Sequence, residues 1–258
     1  MQVMYAVVNG ALRELTLPKP DEHVLPGIRW GAFDELMTPA YWRSQAWQLA
    51  EEEGAFGDFR LGRSLVEETA ACLLGGYGMP AELGLAAYGR LRARGLLIGL
   101  PSSGTLEAAL SEPFQIGAVC RAYRFPRQKA RYLAACLGQL KYFAEPADDD
   151  ALRDRLATLP GVGLKTASWI VRNYRASNAV AVIDIHILRA GRHIGLFDPN
   201  WTPQACYHKL ERAFLRFASA LGTPASLLDS IMWDQMRRMP SKSRTNGQMA
   251  FAFGVMFS

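Results

Sequence analysis

Two residues of this sequence combine a reactive type with a telling setting. The first is Lys165, in the stretch Leu159-Pro-Gly-Val-Gly-Leu-Lys-Thr-Ala-Ser-Trp-Ile170. Gly161 and Gly163 permit a tight turn and put no side chain in the way of close approach. Backbone amides gathered in such a turn at the start of a helix form an anion site that suits a phosphate, with Gly161, Val162 and Gly163 as its candidates. A Gly-x-Gly by itself is also what a plain turn between two helices requires. Lys165 tilts the balance. The positive end of a helix disfavours a cation, and a neutral amine beside a cleft is a nucleophile for an electrophilic carbon. The second residue is Asp184, nineteen positions on, which interrupts the apolar run Ala181-Val-Ile-Asp-Ile-His-Ile187. A carboxylate close to buried surface is costly unless it has a use. Capping a helix over about 185–195 is one use and facing a cleft is another, and a single carboxylate can serve both.

The elements that must position these residues read as helices. Thr-Pro pairs at 38–39, 202–203 and 223–224 predict caps followed by helices over about 39–53, 203–220 and 224–238. Ser64 with Glu67 reads as a capping box for a helix to about Leu74, and Pro80 opens another that ends near Gly95. Residues 127–143 and 151–158 are also helical by pattern. Strand signals are few: Met1–Val8 and Leu12–Leu17 fit a hairpin turned by Asn9-Gly10. The fold class is therefore mainly α with a small N-terminal β hairpin. Linkers are expected at about 18–27 and 239–248, and the apolar stretch Met249–Phe257 is expected to pack down.

Composition narrows the classes. The chain has 258 residues, 50% hydrophobic and 21% charged, enough for a sizeable core in one large domain or two small ones. No apolar run is long enough for a membrane span, and Met1–Gly10 lacks the basic start of a signal peptide. Cys72, Cys120, Cys136 and Cys206 are too widely spaced for a zinc site or an iron–sulfur cluster, and read as thiols of a reducing cytoplasm. Charge is uneven. Residues 1–120 hold 9 Lys and Arg against 14 Asp and Glu, 121–175 hold 11 against 5, and 176–258 hold 9 against 5. That asymmetry suits a polyanion on one face, though an unevenly solvated surface would look the same.

The hairpin at 159–167, Lys165, and Asp184 within Val182-Ile-Asp-Ile-His186 together resemble the helix-hairpin-helix DNA glycosylase superfamily, strongly over about 150–195 and more weakly over about 60–240. The resemblance implies a two-lobed helical fold with a DNA-binding cleft. It implies that Lys165 attacks C1′ of a damaged nucleotide, expels the base and forms a Schiff base from which β-elimination nicks the strand. Asp184 would stabilise positive charge on the sugar and position or deprotonate the lysine. The target base must first be flipped out, and Tyr77 in the glycine-rich loop Leu74–Met79 is the wedge candidate, against a reading as a core tyrosine. Arg121, Arg124, Arg127, Lys129 and Arg131 resemble the family's basic segment, of which Arg124, Arg127 and Lys129 are the phosphate candidates. His186 resembles a family histidine near a phosphate, against a reading as a satisfied structural histidine.

The absence of cysteines after Cys206 weighs against the endonuclease III and adenine-glycosylase branches. Asp229 and Trp233, one turn apart, resemble the polar and aromatic pair that lines the base pocket of 8-oxoguanine glycosylases; Trp233 in the core with Asp229 at the rim is the alternative. The expected organisation is an N-terminal extension over 1–60 packed on the helical body, a helical subdomain with the wedge loop over 61–145, the catalytic subdomain over 146–240 and a tail over 241–258. The expected activity is that of a bifunctional DNA glycosylase/AP lyase on a damaged purine, foremost 8-oxoguanine. The competing readings are a glycosylase of another modified base in a bacterial defence system and a non-catalytic DNA-binding module. The partner is double-stranded DNA bearing a damaged or modified base, the protein acts as a cytoplasmic, nucleoid-associated monomer, and no membrane is involved. No cofactor or metal is expected, though the hairpin admits a monovalent cation.

Overall fold

A computed structural model describes residues 1–51, 59–76 and 78–239. Tyr77, the tail over 241–258 and nearly all of the 239–248 linker therefore lie outside the described residues. The chain starts with strands β1 (Gln2–Val8) and β2 (Ala11–Leu17), paired antiparallel with Val8 opposite Ala11. Asn9 and Gly10 join them with φ of 49° and 74°, the two left-handed residues that match a two-residue turn to the twist of the strands. Gln2 fixes the base of the hairpin: its amide donates to the carbonyls of Pro18 and Gly31 and accepts from the amide of Phe33. A short antiparallel pair joins β3 (His23–Leu25), inside the expected linker, to β4 (Ile28–Arg29), just beyond it.

Ten helices follow among the described residues: α1 (Pro39–Glu51), α2 (Leu65–Leu74), α3 (Ala81–Ala93), α4 (Ser103–Ser111), α5 (Pro126–Leu140), α6 (Asp149–Leu156), α7 (Leu164–Arg175), α8 (Ile185–His193), α9 (Pro203–Ala220) and α10 (Ala225–Arg238). A third hairpin, β5 (Phe114–Ile116) with β6 (Val119–Arg121), lies between α4 and α5. Local chemistry sets the helix starts. Thr38 and Thr202 each accept an amide from the first turn of α1 and α9, and Ser64 does so for α2. The Glu67 carboxylate turns back to the amide of Arg63. Thr223 is a correction: its hydroxyl makes no cap, and Pro224 itself stands at the start of α10.

Two apolar cores organise these elements. One runs from Leu65 to Val180 and gathers α2 to α7. The other joins Leu15, Trp30, Trp42 and Trp47 of the N-terminal region to Ala181, Ile183 and the inner faces of α8, α9 and α10. The N-terminal residues thus pack on the helical body as part of its second core, and the last buried residue of the first core, Val180, is followed directly by Ala181 of the second. Lys165 lies in the first turn of α7, the last helix of the first core, and Asp184 caps α8, which packs in the second.

Candidate active site

The hairpin between α6 and α7 is built around Gly161. Its φ is +78°, and a Cβ there would come within 2.5 Å of the Tyr132 ring on α5. Gly161 is therefore required by packing as well as by the turn. Gly163 is the open one: a Cβ on it would meet nothing within 4 Å. Val162 corrects the expected anion site, because its amide donates to the carbonyl of Leu159 and its side chain is buried. Gly163 precedes α7 with no side-chain cap, so the positive end of α7 is left to the amides that follow it.

Lys165 sits in that first turn, half-buried, with no hydrogen bond or ion pair among the described residues. Its surroundings come from the end of α2. A Cβ on Gly76 would stand 3.7 Å from the Lys165 Nζ and 3.9 Å from the Trp169 ring, and one on Gly75 would meet that ring at 3.1 Å. Gly75 thus makes room for Trp169, one turn beyond Lys165, and Gly76 lies in ordinary contact range of the lysine. Lys129 is a second correction. Its Nζ donates to the carbonyl of Leu73 at 2.5 Å, so it caps the C-terminal end of α2 instead of waiting for a phosphate. The Tyr123 hydroxyl caps the neighbouring carbonyl of Leu74 at 2.6 Å. Burial, and after it the charge of Lys165, hold the Lys129 ammonium below its ordinary range. Arg124 and Arg127 are exposed, and a Cβ on Gly78 would lie 3.3 Å from the Arg124 guanidinium.

Asp184 caps α8. Its Oδ1 accepts the amides of His186 at 2.8 Å and Ile187 at 3.0 Å, which leaves Oδ2 without a partner among the described residues. The carboxylate is fixed by the cap and keeps one free oxygen. The His186 ring stands edge-on to Trp233, with centroids 6.5 Å apart, and its buried Nδ1 has no hydrogen-bond partner among the described residues. Trp233 is 39% exposed and also receives the Arg237 guanidinium 4.8 Å above its ring.

Asp229 is the third correction. It is 1% exposed and fully engaged: Oδ1 takes the Arg172 guanidinium at 2.5 Å, and Oδ2 takes the amide of Val182 at 3.1 Å. Burial pushes its carboxyl up, and Arg172 opposes that shift. A carboxylate so occupied has no oxygen left for a base. One residue further round α10, Ser230 and Asp234 face a cavity of about 290 Å³ that Gln45 and Leu49 of α1, with Phe59, close from the other side. The Arg172 guanidinium touches this wall, 3.1 Å from the Ser230 hydroxyl and 4.8 Å from the Phe59 ring centre.

Sequence reasoning missed Ser168, Arg172, Tyr207 and Glu211. The first two lie three and seven residues after Lys165, on one helical face, and Tyr207 and Glu211 are four apart within an apolar stretch. That periodicity was the available signal. No cluster of three or more potential metal ligands occurs among the described residues, and none of their helices is long and apolar enough to cross a membrane.

A family model described as 8-oxoguanine DNA glycosylase matches residues 61–223, a span that holds both Lys165 and Asp184. The 8-oxoguanine DNA glycosylase/AP lyase of Metallosphaera sedula is 37% identical over 116 residues, 43% of this chain and 57% of that protein. That of Saccharolobus solfataricus is 33% identical over 121 residues, 43% of this chain and 58% of that protein. The chain thus spans less than two thirds of the length of the curated relatives it matches. Among solved structures, the 8-oxoguanine DNA glycosylase of Thermotoga maritima superposes with a TM-score of 0.56 at 26% identity, covering 76% of this chain and 93% of that one. The Methanocaldococcus jannaschii 8-oxoguanine glycosylase/lyase in complex with 15mer DNA containing 8-oxoguanine gives 0.52 at 23% identity, over 66% and 79%, and shows the shared fold.

Proposed function

The chain belongs to the 8-oxoguanine DNA glycosylase family, and from that premise we propose that it is a bifunctional DNA glycosylase/AP lyase acting on double-stranded DNA that carries a damaged purine, 8-oxoguanine foremost. The carrying observation is the state of Lys165. It is a half-buried amine in the first turn of a helix, with no bonded partner among the described residues and with Gly76 beside its Nζ.

The chemistry follows from that amine. Lys165 Nζ bonds to C1′ of the extruded nucleotide as the bond from C1′ to the base nitrogen breaks, and the base leaves with the electron pair and takes up a proton. The bound amine loses one proton, the bond from C1′ to the ring oxygen breaks as that oxygen takes up a proton, and the protonated imine forms. Loss of a C2′ proton then breaks the bond from C3′ to oxygen and nicks the strand. The imine is itself the electron sink, so the sequence needs no metal. Asp184 Oδ2, held by the cap on Oδ1, supplies negative charge against the cation that develops on the sugar. Gly163 and the uncapped start of α7 receive a phosphate, with Arg124 and Arg127 adding salt-dependent affinity. α10 reads the extruded base: Trp233 is its exposed aromatic, and the cavity at Ser230 and Asp234 supplies polar groups.

The test is strand scission on a panel of duplexes, each with one modified base. Cleavage of the 8-oxoguanine duplex above all others is the expected result. Cleavage of another member alone would keep the lysine chemistry and replace the substrate. Tight binding without cleavage of any member would leave a DNA-binding module.

A further inference from the structure

The segment that carries Asp184 is buried without belonging to any helix or ladder. Val180, Ala181 and Ile183 are fully buried. Buried backbone of this kind must find acceptors for its amides. Three consecutive amides find them on side chains: Ala181 on Glu211 at 3.1 Å, Val182 on Asp229 at 3.1 Å and Ile183 on the Tyr207 hydroxyl at 3.3 Å. A hydroxyl such as that of Tyr207 satisfies an amide without a charge. Two of the three acceptors are buried carboxylates, which are costly to desolvate and need a reason.

Each carboxylate is paired with a buried guanidinium, Glu211 with Arg153 of α6 and Asp229 with Arg172 of α7, and each also bonds to α7. Glu211 Oε1 also accepts the Ser168 hydroxyl at 2.9 Å, and Asp229 Oδ1 accepts the Arg172 guanidinium at 2.5 Å. Ser168 and Arg172 stand one and two turns beyond Lys165 on its own face of α7. We propose that Glu211 and Asp229 are positioning residues, which hold the Asp184 segment in register with the helix that carries Lys165. This inference rests on the reading of Lys165 and Asp184 as the reacting pair. Arg172 is itself steadied by Asn173, whose amide donates to Glu68 Oε1 at 3.0 Å, and Glu68 Oε2 takes the amides of Leu61 and Gly62 at 2.8 Å each. One hydrogen-bonded chain therefore runs from the residues ahead of α2, in the first core, to the Asp184 segment in the second.

Two paired variants test this without leaving an unpaired buried charge. Arg172→Gln with Asp229→Asn keeps hydrogen-bonding groups at both positions. Arg172→Met with Asp229→Leu keeps packing and no bond. Hydrogen–deuterium exchange over residues 179–187 is measured on the DNA-free proteins. Single-turnover rates at saturating enzyme, with DNA affinities, are measured on an 8-oxoguanine duplex and on an abasic-site duplex. The Met/Leu pair is expected to exchange faster in this segment and to react at least about tenfold more slowly at unchanged affinity, as a small misplacement of reacting groups would produce. The Gln/Asn pair is expected to fall between the wild type and the Met/Leu pair in both exchange and rate. A Met/Leu pair that protects the segment, or that reacts at the wild-type rate, overturns the proposal. So does a loss of melting temperature, affinity and rate together in both pairs. If the wild-type protein reacts with neither duplex, the functional reading falls while the exchange data still decide whether the carboxylates hold the segment.

Discussion

Gly76 and Lys165 lie against each other: a Cβ on the glycine would stand 3.7 Å from the lysine Nζ, and the glycine backbone is left-handed at φ +69°. Gly76→Ala should therefore do two things. The left-handed conformation costs an alanine about 1–2 kcal/mol, and any backbone shift that relieves it moves a methyl in van der Waals contact with the nucleophile. A lower melting temperature and a lower yield of borohydride-trapped adduct per folded molecule are expected. Gly89→Ala in α3, where a Cβ meets nothing within 4 Å, is the control and should not lower either.

Asp184 combines a cap and a charge, and two substitutions separate them. Asn caps a helix as well as Asp, so Asp184→Asn should keep the melting temperature while slowing base excision by about 10²-fold or more, with DNA affinity retained. Asp184→Ala should add a loss of about 1 kcal/mol of stability from the lost cap. Normal single-turnover excision by Asp184→Asn would remove the carboxylate from the mechanism.

Trp233 is exposed beside His186 on the helix that is proposed to read the base. Stacking of a base on an aromatic ring is worth about 1–3 kcal/mol. Trp233→Ala should lose about that much affinity for lesion DNA and little for undamaged DNA, measured by titration of matched duplexes. Equal losses on both would make the ring a packing element.

Lys129 gives a dependence on pH. Burial first, and the charge of Lys165 second, lower its folded-state value from 10.5. Between that lowered value and 10.5 the unfolded chain binds more protons than the folded one, so stability rises with pH across this window and the cost is fully present below it. Lys129→Met removes the titrating group, and denaturant titrations should show the wild-type protein gaining on the variant as the pH approaches 10.5. A constant difference would mean that the ammonium is not desolvated.

The sequence shows most of the helices because their signals are local. Thr38, Ser64 and Thr202 each announce a cap, and Asn9-Gly10 names its own turn. α4 was missed because Gly104 sits in its first turn among serines, which reads as a loop until Ser102 is seen to cap it. The Lys165 hairpin and Asp184 were legible because each breaks a local rule, a cation at a positive helix end and a carboxylate in an apolar run. The role of Asp229 was not. Its spacing from Trp233 is real, but only the tertiary structure brings Arg172 and the amide of Val182 to it. Lys129 was misread for the same reason, since its partners lie on α2, more than fifty residues away.

Borohydride trapping tests the central claim most directly. The wild-type protein and Lys165→Gln are each incubated with an abasic-site duplex and with a duplex carrying one 8-oxoguanine, and then reduced. A covalent protein–DNA adduct on both duplexes, absent from Lys165→Gln although that variant stays folded and binds DNA, is the predicted result. An undiminished adduct in Lys165→Gln, or no adduct from the wild-type protein on either duplex, would contradict the assignment of Lys165 as the nucleophile.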